Sequence, residues 1–269
     1  MEHGTHNAEG DKVDKANELP SVDDAKPLEE GGPIARRGFN YQDEIAVSFL
    51  LDMIEDQSIL KIHCETHDDI LIVRATKDAS QNCAEYVQVK ATEPNQLWTV
   101  ATLCQRTAGK GGTSVLEKSL AHDRHKELSR FRILTLRQVS ADLKILTYPV
   151  GSIGRESGCD GLKTLKAAID KKHPGLLSPK GNDCSFWLDN CHWDVRHNME
   201  DIRNCNKLRV FQISSAHKNT LLPDAIDSLL DDMRLWVKKA GAASWDTDRD
   251  KKIITREQLL TWWEQGLRN

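Results

Sequence analysis

The sequence predicts an α/β protein in which a mixed β-sheet is flanked by helices. The first observation is an amphipathic stretch over 34–55, where apolar residues recur at helical spacing. The second is a pair of short segments, 70–74 and 85–91, that are rich in β-branched residues or alternate with period two. The polar connection between them is long enough for a hairpin loop. We therefore expect antiparallel strands packed against a first helix.

The third observation is a helix followed by an apolar strand. Ser114 and Glu117 have the spacing of a capping box, which predicts a helix over 114–129. The segment 131–136 is apolar enough for a buried strand. A helical crossover usually joins parallel strands, so we expect this strand to run parallel to its neighbour.

The chain divides into three parts. Residues 1–30 are charged and contain no aromatic side chain, which predicts a disordered arm. Residues 31–136 hold the core, in the order helix, three strands, helix and strand, with the first strand over 58–64. Residues 137–269 are predicted to complete the same domain as a largely helical α/β extension. The elements expected there are a short helix over 141–146, helices over 162–172 and 223–239, a strand over 208–214, and a last helix capped by Thr255 and Gln258.

Composition limits the compartment and the class of partner. The 269 residues contain no apolar run long enough for a membrane span and no signal-peptide pattern. Seven cysteines without a Cys-x-x-Cys pair indicate free thiols in a reducing cytoplasm. The net charge of -4 is unusual for a protein that binds nucleic acid, so any basic cleft must be local.

Carboxylates precede the strand over 70–74, and a Gln and a Lys follow on its partner. Asp69 comes directly before the apolar run, with Asp68 beside it on the opposite face, and Gln88 and Lys90 share one face of the second strand. Cleavage of a phosphodiester needs a cation, because negative charge accumulates in the transition state. We therefore expect Mg²⁺ or Mn²⁺ on Asp69, with the Gln88 side-chain oxygen and the Val89 carbonyl as neutral ligands. Lys90 is the expected catalytic cation.

These residues resemble the signature of the PD-(D/E)xK nucleases, in which an Asp begins one strand and Glu or Gln-x-Lys follows on the next. Gln88-Val89-Lys90 is similar to the Mrr-type variant, and Gly38-Phe39-Asn40-Tyr41-Gln42 looks like the first-helix motif of that branch. The run over 31–42, with Trp98 downstream, looks like the N-terminal double-stranded-DNA endonuclease domain of the CD-NTase-associated (CBASS, SAVED-linked) anti-phage effectors.

The resemblance implies a restriction-endonuclease-like fold and a metal-dependent endonuclease that cuts double-stranded DNA in bacterial anti-phage defence. In such effectors a sensor of cyclic oligonucleotides activates the nuclease by driving oligomerisation. No such sensor fits within 269 residues. We therefore expect a homo-oligomer that receives its signal from another module or from a partner such as an ATPase.

Further residues are candidates for supporting roles. Gln42 and Glu44 lie in the first helix, where Glu44 either adds a ligand or occupies the exposed surface. Arg36, Arg37 and Lys110 are candidates for DNA phosphate contacts or are ordinary solvent-exposed cations. The glycine-rich loop around Lys110 lacks the spacing of a nucleotide-binding P-loop.

Two alternatives remain open at this stage. The Cys-, His- and Trp-rich segment over 184–205 either packs in the core or binds zinc, although its spacing matches no common zinc module. The zinc candidates are Cys184, Cys191, His192, His197 and Cys205.

A chain with Gln at the second acidic position is also compatible with a DNA-binding or assembly module that no longer cuts, or with a scaffold that uses its Trp-rich half for protein contacts.

Overall fold

Alternating apolar residues build a six-stranded mixed sheet in the computed structural model. The model describes residues 31–77, 81–91, 97–196 and 198–267, without the side chains of 31–35 and 37. The expected arm over 1–30 and the zinc candidate His197 lie outside the described residues. The strands are β1 (Ile59–Cys64), β2 (Ile70–Ala75), β3 (Asn82–Lys90), β4 (Leu128–Thr135), β5 (Cys191–Val195) and β6 (Ile253–Thr255).

The strand order is β5-β4-β3-β2-β1-β6. β1, β2 and β3 form an antiparallel meander, and β6 adds antiparallel to β1. β4 pairs parallel with β3, as the helical crossover predicted, and β5 continues in parallel. The sheet is therefore mixed.

Helices cover both faces of the sheet. They are α1 (Gly31–Glu55), α2 (Val100–Leu103), α3 (Val115–Ala121), α4 (Asp160–Asp170), α5 (Cys184–Asn190), α6 (Met199–Ala216), α7 (Pro223–Ala242) and α8 (Arg256–Gly266). Short 3₁₀ turns occupy Thr107–Gly109, Ala141–Thr147 and Arg249–Lys252. In the described ranges, no helix has the length and apolarity needed to cross a membrane.

Each face of the sheet has its own hydrophobic core. Side chains of α1, α6, α7 and α8 pack on one face, where Ile72 and Val87 contribute from the strands. Side chains of α2 to α5 pack on the other face with Leu71 and Tyr86. This arrangement confirms the predicted α/β class and is consistent with a restriction-endonuclease-like fold. The alternation of β2 and β3 places adjacent residues in different cores, as period-two patterning requires.

The prediction of a strand over 208–214 is wrong, because this segment belongs to α6. Ile202, Asn206, Val210 and Ile213 are buried along one side of the helix. Asn198 caps α6 by accepting hydrogen bonds from the backbone N–H groups of the second and third helical residues. The short apolar run that suggested a strand is one buried stripe of a helix.

Two further differences lie near β4 and β5. The helix expected over 114–129 ends at Ala121, and β4 begins earlier than predicted. Asp123 explains the early end, since its fully buried carboxylate accepts hydrogen bonds from Ser129, Ser178 and Asn182 and fixes a loop there. Strand β5 was not predicted at all.

The segment over 184–205 contributes to the core. Trp187 and Trp193 are fully buried, and Cys184 and Cys191 pack beside them. Within the described ranges, no three His, Cys, Asp or Glu side chains are placed to hold a metal ion together. The structure therefore shows core packing, and not a zinc site, for these four described residues.

Candidate active site

A tight turn between β1 and β2 positions the predicted carboxylates. Glu65 adopts a positive φ of 51°, and its backbone N–H donates to the Asp69 carbonyl at 3.0 Å. The buried ammonium of Lys252 donates to the carbonyls of Glu65 and Gly241, at 3.0 Å each, and lies 3.4 Å from that of Cys64. These bonds fix the backbone that leads into Asp69.

The Asp69 carboxylate is held against the backbone of β3. Its Oδ2 accepts a hydrogen bond from the Val89 N–H at 2.7 Å. Gln88 is only 3 % exposed, and its side-chain oxygen has no hydrogen-bond partner within the described residues. Lys90 is half-buried and forms no ion pair with a described carboxylate. The structure therefore brings Asp69, Gln88 and Val89 together, with Lys90 at the end of the same strand.

Asp68 lies beside a histidine and is influenced by the charge of Lys90. Its Oδ1 accepts from the Asp69 N–H at 3.0 Å, while His122 Nε2 lies 3.4 Å from Oδ2. Burial and the neighbouring Asp69 raise the pKa of Asp68 to about 7, against the opposing effect of Lys90. Burial lowers the pKa of His122 to about 4, and its ring stacks on Tyr86 with 5.0 Å between centroids.

Two other acidic groups, Asp43 and Glu65, also have raised pKa values. Burial raises the pKa of Asp43 on α1 to about 6. Burial and the charge of Asp69 also raise the pKa of Glu65, and Asp43 acts in the same direction. Carboxyl groups that resist ionisation near one another favour a bound cation. The described residues still contain no group of three His, Cys, Asp or Glu suited to a metal, so a metal here would depend on neutral oxygens as well.

The expectation of an exposed Glu44 is wrong. Glu44 is 1 % exposed, and its two oxygens accept hydrogen bonds from Arg234 at 2.8 and 3.1 Å, Arg203 at 3.3 Å and Asn206 at 3.0 Å. Burial opposes ionisation, but these donors outweigh it and hold the pKa of Glu44 below its usual range. Glu44 therefore joins α1 to α6 and α7, with both oxygens already engaged.

For the remaining candidate residues, the structure shows their element and their burial. Gln42 is half-buried on α1, one residue before Asp43. Arg36 is exposed on α1, and Lys110 is exposed just after a 3₁₀ turn. The side chain of Arg37 lies outside the described part of the chain.

Sequence reasoning missed three residues of this region. Asp43 adjoins Gln42 in the first-helix motif, so its position was a usable signal. His122 follows α3, and Lys252 is far along the chain. No local pattern connects either residue to the turn before β2, because only the tertiary fold brings them there.

Known proteins are similar to this chain in sequence. The family model described as Cap4, dsDNA endonuclease domain, matches residues 30–233. Anti-bacteriophage protein A of Escherichia coli (strain K12) is 26% identical over 252 residues, which cover 88% of this chain and 44% of that protein.

Two solved structures are also similar. The Acinetobacter baumannii Cap4 SAVED/CARF-domain containing receptor with the cyclic trinucleotide 2'3'3'-cAAA aligns with a TM-score of 0.56 and 15% identity, over 86% of this chain and 45% of that one. The Moraxella osloensis Cap4 SAVED/CARF-domain containing receptor gives 0.50 and 16%, over 87% and 48%. The chain thus spans less than half the length of these relatives.

The family match covers most of the chain and includes every strand from β1 to β5. It confirms the resemblance to the nuclease domain of anti-phage effectors that residues 31–42 indicated. The chain belongs to the family of Cap4 double-stranded-DNA endonuclease domains.

Proposed function

We propose that this chain is a divalent-metal-dependent endonuclease that cleaves double-stranded DNA as an effector of bacterial anti-phage defence. The observation that carries the proposal is the Asp69 carboxylate, which is fixed on the Val89 N–H at 2.7 Å beside Gln88 and Lys90. Membership of the Cap4 endonuclease family supports the same reaction. The PD-(D/E)xK assignment of these residues is part of the proposal.

The residues around Asp69 fit Mg²⁺ or Mn²⁺. Asp69, the Gln88 side-chain oxygen and the Val89 carbonyl would hold the ion, since hard cations bind oxygen ligands. The Gln88 oxygen is buried and accepts no hydrogen bond from the described part of the chain, as expected for an atom that has another partner in the working enzyme. The bound ion would supply charge neutralisation at the phosphate.

The chain's own side chains carry the other roles. The half-buried ammonium of Lys90 has no acidic partner in the described residues, so it is available to orient the attacking water or meet developing charge. The Val89 N–H fixes the orientation of Asp69. Asp68 and the unpredicted Asp43 assist by adding carboxyl groups near this group, and Gln42 assists with a neutral hydrogen-bonding side chain. Glu44 acts through the packing of α1.

The family supports a proposal for the substrate and the activator of this chain. Arg36, Arg37 and Lys110 are proposed to contact DNA phosphates. The Acinetobacter relative contains a SAVED/CARF domain and binds a cyclic trinucleotide. We propose that a sensor of this kind, in another module or in a partner such as an ATPase, activates the present chain by assembling a homo-oligomer.

The decisive experiment is cleavage of plasmid DNA over a series of protein concentrations, with Mg²⁺ or Mn²⁺. We expect cleavage by the wild-type chain, loss on chelation, and at least a hundredfold decrease in Asp69→Ala and Lys90→Ala, about the size typical when an electrostatic catalytic group is removed. Lys163→Ala, on the exposed surface of α4, is the matched control and should cleave normally. Full activity of either site variant would disprove the assignment.

A non-catalytic DNA-binding or assembly module is the second candidate. The neutral Gln88 at the second acidic position and the net charge of -4 favour it. In that case the wild-type chain would not cut DNA under any metal or concentration, and Lys90→Ala would leave its function in the host unchanged.

A further inference from the structure

Aromatic and cationic side chains from three separate loops meet beside the turn before β2. His67 comes from that turn, His125 from the loop between α3 and β4, and Trp245 and Arg249 from the segment after α7. The rings of His67 and His125 are 4.7 Å apart, and those of His67 and Trp245 are 5.7 Å apart, measured between centroids. The Arg249 guanidinium lies over the Trp245 ring at 4.7 Å. We call these four residues the aromatic rim.

The rim is accessible and includes an exposed arginine. Trp245 is 37 % exposed, and Arg249 is exposed without an ion pair to any described carboxylate. Asp248, on the same loop, is paired with Lys251 at 2.5 Å.

The rim adjoins the proposed catalytic residues. His67 directly precedes Asp68 and Asp69 in the chain. His122, which lies 3.4 Å from Asp68, experiences the charges of both His67 and His125. The rim therefore adjoins the turn that carries the carboxylates.

We propose that the aromatic rim binds the DNA strand next to the cleaved phosphate, with Arg249 at a backbone phosphate and Trp245 against the deoxyribose of an adjoining nucleotide. The proposal rests on the proposed DNA cleavage and adds a binding site to it. Exposed guanidinium groups are common contacts to DNA phosphates, and an aromatic ring beside such a group offers an apolar face to the sugar. The stacking of Arg249 on Trp245 orders both groups before DNA arrives.

The test measures the affinity of a labelled DNA duplex for the purified chain in buffer without divalent metal, so that no strand is cut. Trp245→Ala should weaken binding about fivefold, as loss of about 40 Å² of buried apolar contact does, and Trp245→Phe should restore most of it. Arg249→Gln should weaken binding and reduce the slope of log affinity against log salt by about 1, as loss of one phosphate contact does.

Matched controls lie on other surfaces. Phe211→Ala removes an exposed aromatic ring from α6. Arg130→Gln removes an exposed guanidinium near the start of β4, whereas the residue that pairs with Lys90, Thr135, is at the other end of that strand. Both should bind DNA like the wild-type chain. Circular dichroism and urea unfolding should show that all variants are folded.

Equal affinity of the rim variants and the wild-type chain, or no saturable binding by the wild-type chain, would overturn the proposal. The catalytic proposal is tested separately, by whether Asp69→Ala loses metal-dependent cleavage. The two proposals can therefore fail independently. If the rim served a protein partner instead, the rim variants would bind and cut DNA normally.

Discussion

Lys252 shows how a single side chain can hold the candidate site without touching substrate. Lys252 is 5 % exposed, and its ammonium is satisfied by backbone carbonyls, with no described carboxylate as a partner. Two of those carbonyls belong to the end of β1 and the turn that follows, and one to α7. The positive charge also lowers the pKa of Glu65 against the effect of burial and Asp69. Lys252 is therefore a positioning residue for the turn that carries Asp69.

Replacing Lys252 by methionine should destabilise the fold. The apolar side chain fits the volume but leaves the carbonyls of Glu65 and Gly241 without their donor. We expect a decrease of about 1–3 kcal/mol in the free energy of unfolding. Urea unfolding measures it, and Lys251→Met is the matched control because the Lys251 side chain is 74% exposed. Equal stability of the two variants would contradict the proposed hydrogen bonds.

Residues of the site were predictable to different extents. Asp69, Gln88 and Lys90 were found because two short strands, paired by a local connection, place them side by side. The roles of these three residues stay predictions. The aromatic rim and Lys252 could not be found in the same way, because their members lie in segments far apart in the chain. Glu44 was misjudged because its partners, on α6 and α7, are just as distant.

At the scale of the element, the start of α3 shows how a predicted cap also acquires a distant partner. The predicted capping box is confirmed: Ser114 accepts from the Glu117 N–H, and the Glu117 carboxylate accepts from the Ser114 N–H. Glu117 also accepts a hydrogen bond from Arg106 Nε at 2.9 Å. Burial opposes its ionisation, but the bonds from Arg106 and Ser114 prevail and lower the pKa of Glu117 to about 2.

This lowered pKa predicts a pH dependence of stability. A carboxyl group with a depressed pKa in the folded state stabilises the fold above its unfolded pKa, and the effect is lost as pH falls. For Glu117 the loss should run from the ordinary value of 4.5 down to about 2. The stability difference between the wild type and Glu117→Gln should therefore be largest near neutral pH and shrink in acid.

Urea unfolding at a series of pH values provides the measurement. Glu264→Gln, on the exposed surface of α8, is the control and should parallel the wild type throughout. A difference between the wild type and Glu117→Gln that stays constant down to the lowest pH would show that Glu117 is not ionised in the way described.

Whole elements were predictable where a pattern extends over several turns or alternates strictly. The meander of β1 to β3, the parallel β4, and helices α1, α4, α7 and α8 were expected and are present. The segment 208–214 failed because a short apolar run does not distinguish a strand from one stripe of a helix. Strand β5 was hidden because it is only five residues long and directly follows α5.

At the scale of the whole molecule, the chain is a three-layer α/β structure that corresponds to less than half of each relative. The two cores on either side of the sheet account for its buried helices. The division into an arm over 1–30, a core over 31–136 and an extension over 137–269 stays a prediction. In the structure, the extension supplies β5, β6 and the helices that close both faces.

The similarity to longer relatives with a sensor domain predicts that the isolated chain cleaves DNA weakly until it is concentrated. If assembly activates the nuclease, the initial rate should rise more steeply than in proportion to protein concentration. Cleavage rates over a dilution series, with light scattering to report molecular mass, provide the measurement. Strong cleavage by a dilute monomer, with a strictly proportional rate, would contradict activation by assembly.

The bond between Lys252 and Glu65 also sets an order of events during translation. The two residues are 187 positions apart. At ordinary translation speeds this separation corresponds to roughly 10–40 s between the appearance of the turn and that of the lysine that fixes it. The strands that carry Asp69 and Lys90 leave the ribosome before the edge strand β6 and its preceding lysine. A partly synthesised chain that stops before Lys252 therefore lacks the hydrogen bonds that fix the turn before Asp69.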